Sequence, residues 1–210
     1  ADLIMAALER LGAAPAVVLG HSWGASVAVA LALRHPNAVR GIVLASGYYY
    51  PSVRPDLALV SAAAVPLLGD AACYTLVPLV SRLVWPLLMR MIFGPASMPT
   101  KFRRFPKEMA VRPSQIRAVA AESALLIAAA VSASGKYSRL RMPVAVVAGA
   151  EDRLIDPRKQ SCRLHRAVAH STFRPVSGAG HMVHQTDPEA IMAAIDEVFA
   201  RADARQIVDG

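Results

Sequence analysis

The chain has 210 residues, of which 55% are hydrophobic and 18% are charged, and its formal net charge is +8. Its mean hydropathy is +0.39. This composition excludes a disordered chain, and the length suffices for one sizeable core, or for a core and a smaller lid. The positive charge indicates attraction to anionic surfaces. Cys73 and Cys162 fit neither a disulfide framework nor a zinc site, so we expect buried or idle thiols, compatible with a reducing compartment.

The first predicted elements alternate between helix and strand. Apolar residues at helical spacing predict a helix over 2–11. A short run rich in β-branched residues predicts a buried strand over 16–19, and a helix over 25–34 follows. The next buried strand is predicted over 41–45. The order strand, helix, strand favours a right-handed parallel unit.

The turn between the first strand and its helix has the sequence GHSWG, at 20–24. A G-x-S-x-G turn in this context is typical of a nucleophile elbow. We expect Ser22 at a strained apex, and the N–H of Trp23 directed at a developing oxyanion. Positions 20 and 24 are expected to require glycine because strand and helix backbones crowd together there. The alternative is that Ser22 simply caps the helix.

From Gly47 the pattern changes, and residues 51–138 contain much proline but no convincing strand pattern. We predict a helical insertion there. Three apolar segments, at 57–68, 75–80 and 83–93, are expected to be broken by prolines and interrupted by charges. None is then expected to reach the roughly 18 clean apolar residues of a membrane span, which favours buried or substrate-facing lid helices. The prolines concerned are Pro66, Pro78 and Pro86.

A basic belt follows within this insertion, with Phe102 and Phe105 interleaved. Its members are Lys101, Arg103, Arg104, Lys107, Arg112 and Arg117. The favoured interpretation is a solvated charged face. The alternative is peripheral contact with anionic lipid headgroups, or with an acidic substrate. Since no recognised binding motif accompanies the charge, we predict no nucleic-acid partner.

The last part of the chain returns to the alternating pattern. Strands are predicted over 143–148 and 171–176, and helices over 158–168 and 188–200. The Asp187-Pro188 pair is a good start for the last of these helices.

Three chemically active side chains follow predicted strands. Ser22 comes after the first strand, Asp152 after the third and His181 after the fourth. Ligands of open parallel sheets bind outside the carboxyl ends of the strands. A serine hydroxyl needs a base to take its proton, and the base needs a carboxylate to orient it. The three loops therefore predict one site.

These segments resemble the α/β-hydrolase fold superfamily, whose chain order of serine, acid and histidine is met. The resemblance implies an α/β fold with a mostly parallel sheet flanked by helices. By motif, it makes Ser22 the nucleophile, Asp152 the orienting acid and His181 the general base. The matching motifs are GHSWG at 20–24, GAEDRLIDP at 149–157 and GAGHMVHQTDPE at 178–189.

The resemblance also divides the chain into three parts. Residues 1–50 and 139–210 form the core, and residues 51–138 resemble the variable helical cap of these enzymes. Members of the superfamily have several strands before the elbow and an H-G loop that supplies a second oxyanion N–H. No H-G pair precedes Gly20 and the chain begins with Ala1, so we expect a fragment, or a protein that has lost that half. Such a chain would have an exposed strand edge at 16–19, weak or no activity, and a tendency to associate.

Several further residues have competing interpretations. Asp156 is a second candidate acid but precedes a proline, which favours capping of the next helix. His184 forms an H-x-x-H pair that suits a metal poorly, and we expect a supporting role or one at a helix start. His21 and Tyr48 are candidates to line the substrate pocket, and His21 fits a hydrogen-bonded structural role equally well. Trp23 either walls the pocket or belongs to the core.

The function that this pattern predicts is a serine hydrolase that cleaves ester-like acyl bonds of hydrophobic small molecules through an acyl-enzyme. The serine argues against haloalkane dehalogenases and epoxide hydrolases, which use an aspartate at the elbow. No metal or cofactor is implied. The alternatives are a non-catalytic binding protein on the same fold, and a membrane-surface protein that uses residues 57–117. The given sequence offers no signal peptide to read, and a cytoplasmic location is expected. The oligomeric state is left open.

Overall fold

The computed structural model describes residues 1–52, 65 and 67–209. In this part of the chain four strands form one parallel sheet, in the order β1-β2-β3-β4. The strands are Ala16–His21 (β1), Val39–Ala45 (β2), Val144–Gly149 (β3) and Thr172–Val176 (β4). All four predicted strands are therefore present. β1 lies at one edge of this sheet, and Leu19 on it is 44% exposed.

The described helices fall into three groups, and we call the middle group, α3 to α7, the cap helices. Two short 3-10 turns, Pro36–Ala38 and Tyr137–Arg139, precede β2 and β3. The helices are Asp2–Arg10 (α1), Trp23–Arg34 (α2), Leu68–Tyr74 (α3), Leu76–Phe93 (α4), Thr100–Arg103 (α5), Lys107–Ala110 (α6), Pro113–Ser134 (α7), Ser161–Ala167 (α8), Val183–Thr186 (α9) and Pro188–Asp209 (α10).

The two central strands, β2 and β3, are buried on both faces because a helix packs against each face. Leu44 and Val146 lie in a cluster with α2, whereas Val43 and Val147 lie in a second cluster with Val198 of α10. Successive residues of a strand point to opposite faces. A strand that is buried on both sides must therefore be apolar throughout, which is why β2 and β3 are recognisable from sequence.

Within the described residues the insertion is helical, as predicted, but the segments 75–80 and 83–93 form one helix, α4. The expectation that proline breaks them is wrong. Pro78 lies in the first turn, where a backbone N–H has no intrahelical acceptor to lose. Pro86 removes one hydrogen bond inside the helix, and α4 continues past it. The predicted segment 57–68 lies almost entirely outside the described residues.

Joined as α4, the two segments form an apolar helix whose length must be compared with that of a membrane span. By length and composition alone, α4 and α7 are long and apolar enough to cross one. The segments 75–80 and 83–93 were each expected to fall short of a span, but joined as α4 they reach 18 residues, interrupted by Arg82 and Arg90. Of the two expected settings for the lid helices, buried or substrate-facing, burial fails for α4, most of whose apolar side chains are exposed. The division of the chain at 50 and 138 stays a prediction.

The predicted helix over 158–168 begins three residues later than expected, at Ser161. The carboxylate of Asp156 explains the delay. Its Oδ1 accepts hydrogen bonds from the backbone N–H groups of Arg158 and Lys159, at 2.9 and 3.2 Å. This is an Asx turn, which competes with helical hydrogen bonding. The last helix, predicted over 188–200, begins where expected but extends further, to Asp209.

Candidate active site

The turn after β1 holds Ser22 in a backbone conformation that non-glycine residues rarely adopt. Its φ is 53° and its ψ is −119°. The backbone N–H of Ser22 donates to the carbonyl oxygen of Ala45 at 2.9 Å, which ties the turn to the end of β2. Its side chain makes no capping hydrogen bond to α2, so the simple capping alternative is wrong. A strained serine that does not cap its helix has its hydroxyl available for another partner.

The two glycines of the turn have different reasons to be there. A Cβ on Gly20 would lie 2.4 Å from the carbonyl oxygen of Gly24, so any side chain at position 20 would collide with the backbone of α2. A Cβ on Gly24 would meet no atom within 4 Å. The expectation that crowding requires both glycines is therefore correct for Gly20 and wrong for Gly24.

The three predicted side chains meet in series at the carboxyl ends of the strands. The Oγ of Ser22 lies 3.0 Å from Nε2 of His181, and Nδ1 of His181 lies 2.8 Å from Oδ2 of Asp152. An ionised carboxylate only accepts hydrogen bonds, so Nδ1 carries the proton and Nε2 is left to accept the serine O–H. The imidazole and the carboxylate are both buried.

Asp152 is fixed by its other oxygen. Oδ1 accepts the backbone N–H groups of Leu154 and Ile155, at 2.8 and 2.9 Å. Oδ2 remains directed at His181. The competing acid, Asp156, is exposed and its carboxylate holds the Asx turn described above. Of the two carboxylates, the structure brings Asp152 to the histidine.

A second histidine supports the backbone of the first. Nε2 of His21 lies 3.0 Å from the carbonyl oxygen of His181, and since a carbonyl only accepts, His21 donates. The ring of His184 lies 4.1 Å from that of His21, centroid to centroid. Burial, and then the positive charges that His184 and His181 can carry, lower the pKa of His21 to about 3. His21 is therefore neutral near neutral pH and adds no charge beside His181.

His184 is the less satisfied member of this cluster. Burial lowers its pKa, with a further contribution from His181. Its Nδ1 is buried, and no hydrogen-bond partner for it is found among the described residues. The contact between His184 and His21 was not anticipated from sequence, although the H-x-x-H spacing was the available signal.

Trp23 and Tyr48 lie in one small apolar cluster. Tyr48 is buried with Leu126 and Ile155, and the partly buried Trp23 packs against them. A cavity of about 530 Å³ adjoins Asp152 and is lined in part by Tyr48 and Ile155. Neither Ser22 nor His181 lines it, so this cavity is not the space in front of the nucleophile. As the first residue of α2, Trp23 has a backbone N–H with no intrahelical acceptor.

Three glycines allow β3 and the cap to pack closely against the loop that carries His181. A Cβ on Gly149 would lie 2.1 Å from the carbonyl oxygen of Gly180, and a Cβ on Gly180 would lie 2.3 Å from that of Gly94. The backbone N–H of Met182 donates to the carbonyl oxygen of Ile92 at 3.0 Å. The end of α4 is therefore part of the support for this loop. The sequence motifs include Gly149 and Gly180, but no pattern drew attention to Gly94.

A strained serine after β1, with an imidazole and a carboxylate supplied by later strands of a parallel sheet, is the arrangement of α/β hydrolases. The chain belongs to the alpha/beta hydrolase fold family, whose model matches residues 1–188. No curated protein sequence matches the chain.

Solved structures support the same fold at low sequence identity. An alpha/beta hydrolase fold protein from Burkholderia ambifaria has a TM-score of 0.69 at 19% identity, over 92% of this chain and 70% of that one. A thermophilic esterase from Thermogutta terrifontis has a TM-score of 0.62 at 19% identity, over 93% and 68%. The haloalkane dehalogenase DbeA from Bradyrhizobium elkani has a TM-score of 0.70 at 19% identity, over 96% and 72%. Esterase and dehalogenase neighbours at equal identity define the fold but not the reaction.

Proposed function

We propose that this chain is a serine hydrolase that cleaves an ester-like acyl bond of a hydrophobic small molecule through an acyl-enzyme. The observation that carries the proposal is the unbroken series of contacts from Ser22 Oγ to His181 Nε2, and from His181 Nδ1 to Asp152 Oδ2, at 3.0 and 2.8 Å. These distances lie within the range required of a nucleophile, a base and its orienting acid.

Acylation follows from the hydrogen-bond directions. Nε2 of His181 accepts the proton of Ser22 as Oγ attacks the acyl carbonyl carbon. The resulting imidazolium is stabilised by Asp152, whose carboxylate accepts hydrogen bonds from two backbone N–H groups and from the imidazole. His181 then donates its proton to the leaving oxygen as the carbonyl re-forms, which leaves the acyl group on Ser22.

Deacylation repeats the same steps with water in place of the serine. His181 takes a proton from the water, which attacks the acyl carbon, and Ser22 leaves with that proton. In both halves of the reaction negative charge develops on the former carbonyl oxygen. The N–H of Trp23, free of an intrahelical acceptor at the start of α2, is the donor that we assign to this oxyanion.

The identity of the nucleophile favours acyl transfer over dehalogenation. Dehalogenases of this superfamily attack a carbon atom with an elbow aspartate, whereas a serine hydroxyl forms an acyl-enzyme. The esterase from Thermogutta terrifontis is therefore the more relevant of the structural neighbours. We propose hydrophobic acyl groups because the cap helices nearest the site are apolar.

Labelling with a fluorophosphonate probe tests the proposal directly. The probe phosphonylates a serine that has an active base, so the wild-type chain should be labelled and Ser22→Ala should not. Ser132→Ala is the matched control, since it removes an exposed hydroxyl from α7. Hydrolysis of p-nitrophenyl esters of increasing acyl length would then define the substrate. Wild-type chain that is folded but unlabelled would contradict the proposal.

The second candidate is a binding protein that retains the fold without turnover. It is favoured by one observation, namely that neither Ser22 nor His181 lines the cavity of about 530 Å³ beside Asp152. Labelling of Ser22 without measurable ester turnover would favour this candidate.

A further inference from the structure

The outward face of α4 is apolar where a water-facing helix is normally polar. Its most exposed leucines are Leu83, at 81%, and Leu87, at 69%. Val80 and Leu76 are exposed one and two turns before Leu83. These four residues are spaced by four, three and four positions, which places them on one side of a helix. We call them the leucine stripe.

The opposite side of α4 is attached to the protein. Pro78, Met89 and Phe93 are buried there, and the ring of Phe93 packs on that of Phe102 in α5 at 4.8 Å between centroids. The C-terminal end of α4 is held to the His181 loop by the hydrogen bond from Met182. The leucine stripe therefore faces away from the body of the described chain, and α4 can bury it without leaving its contacts.

Positive charge is concentrated in the part of the chain that contains the cap helices. Residues 67–139 contain ten Lys and Arg against three Asp and Glu, a net charge of +7, whereas the whole chain has +8. Arg82 of α4 forms an ion pair with Glu108 of α6, so α6 and its neighbouring lysine, Lys107, lie alongside α4. Phe105 and Met109 are exposed among these charges.

From the exposed leucine stripe and the net positive charge of the cap we infer that the cap docks on the surface of an anionic lipid bilayer, with the leucine stripe in the headgroup and acyl boundary. Apolar side chains flanked by lysine and arginine are what such a surface binds. The inference extends beyond the proposed hydrolysis and does not depend on it. The helix lies in the membrane plane rather than across it, because one side of α4 is packed against the protein.

Docking would bring lipid close to the candidate active site. The chain passes from the end of α4 to Gly94, which contacts the backbone of Gly180 next to His181. A hydrophobic substrate that is dissolved in the bilayer would therefore meet the protein near the loop that carries the base.

Co-sedimentation with lipid vesicles tests the inference on the whole chain. One set of vesicles is phosphatidylcholine alone, and the other contains about 30% phosphatidylserine. We expect binding to the anionic vesicles, weakened about tenfold or more between about 0.05 M and about 0.5 M NaCl as the charges are screened. No binding, equal binding to neutral vesicles, or binding that is independent of salt would overturn the inference.

Paired variants locate the surface. Leu83→Gln with Leu87→Gln should weaken binding about tenfold or more. Leu3→Gln with Leu11→Gln changes one leucine in α1 and one directly after it, which are 89% and 78% exposed, and should leave binding unchanged. Equal effects of the two pairs would contradict the assignment to α4.

A charge variant tests the same surface without touching the stripe. Lys101→Gln with Arg104→Gln and Lys107→Gln alters exposed side chains and should weaken binding by roughly fivefold per charge. Size-exclusion chromatography of each variant identifies the competing occupant. If wild-type chain is an oligomer that does not bind vesicles, and the Leu83 and Leu87 variant is a monomer, the stripe binds a second copy and the inference is wrong.

Discussion

His21 donates a hydrogen bond from Nε2 to the backbone carbonyl of His181, although the two residues are 160 positions apart in the chain. The residue before the proposed nucleophile thus holds the backbone of the proposed base. The ring of His21 also lies 5.0 Å from that of His181, centroid to centroid. Of the two interpretations that the sequence left open for His21, the structure favours the hydrogen-bonded structural role.

Replacing His21 should show whether its hydrogen bond, and not merely the volume of its ring, positions His181. His21→Phe keeps an aromatic ring but leaves the carbonyl of His181 unpaired, and we expect fluorophosphonate labelling of Ser22 to slow about tenfold because the base is displaced. His21→Gln retains an N–H donor and should label at nearly the wild-type rate. Circular dichroism of both variants checks the fold. Equal rates for the two variants would show that the hydrogen bond does not position the base.

The same residue makes stability depend on pH. The pKa of His21 is about 3 in the folded chain, against an ordinary value of 6.5. Between these two pKa values the unfolded chain binds one more proton than the folded chain. The free energy of unfolding therefore rises with pH in this range, and it decreases as the pH falls below about 6.5.

We expect this single group to cost about 2 kcal/mol of stability at pH 5 relative to pH 7. Urea unfolding at the two pH values, for wild-type chain and His21→Gln, measures the difference. The glutamine variant should lose less stability on acidification by about that amount, because other titrating groups are common to both chains. Parallel pH dependences would contradict the assignment.

Replacing each of the two candidate acids by asparagine tests which carboxylate orients His181. Asp152→Asn places an amide opposite Nδ1, which disfavours the tautomer that leaves Nε2 free, and we expect ester turnover or labelling to fall about 10³–10⁴-fold. Asp156→Asn keeps an acceptor for the exposed turn and should change the rate less than about twofold. The reverse ranking would transfer the role to Asp156.

The two glycines of the elbow should respond in opposite directions. Gly20→Ala forces a Cβ against the backbone oxygen of Gly24, and we expect it to lower the free energy of unfolding by about 3 kcal/mol or more. Gly24→Ala has open space and improves helix propensity, so it should raise that free energy by about 0.5–1 kcal/mol. Urea denaturation provides both values, and destabilisation by Gly24→Ala would contradict this account of the turn.

Gln160 offers a test of the core that no sequence pattern indicated. Its Oε1 accepts the N–H groups of Tyr49 and Tyr50 at 2.7 and 2.8 Å, and its Nε2 donates to the carbonyl of Tyr50 at 2.9 Å. Gln160→Met leaves three buried backbone groups unpaired and should cost about 3 kcal/mol or more. Gln115→Met, at an exposed site in α7, should change stability by less than about 0.5 kcal/mol.

Much of the fold was open to prediction because its signals are local. β2 and β3 are buried on both faces, which requires continuous apolar runs, and the elbow residues Gly20 and Ser22 are two positions apart in the sequence. The α/β-hydrolase fold predicted from the three motifs is confirmed by the family match over residues 1–188. The three side chains that meet at the strand ends could be named in advance since each follows a strand of a parallel sheet, where loops converge.

Long-range contacts settled the remainder. The bonds of His21 to His181, of Gln160 to Tyr50, and the approach of Gly94 to Gly180 join residues far apart in the chain, and no periodicity encodes them. The direction in which the leucine stripe faces is also determined by long-range contacts. An apolar helix has the same composition whether its leucines face the core or the solvent, and the neighbours that α4 packs against decide which.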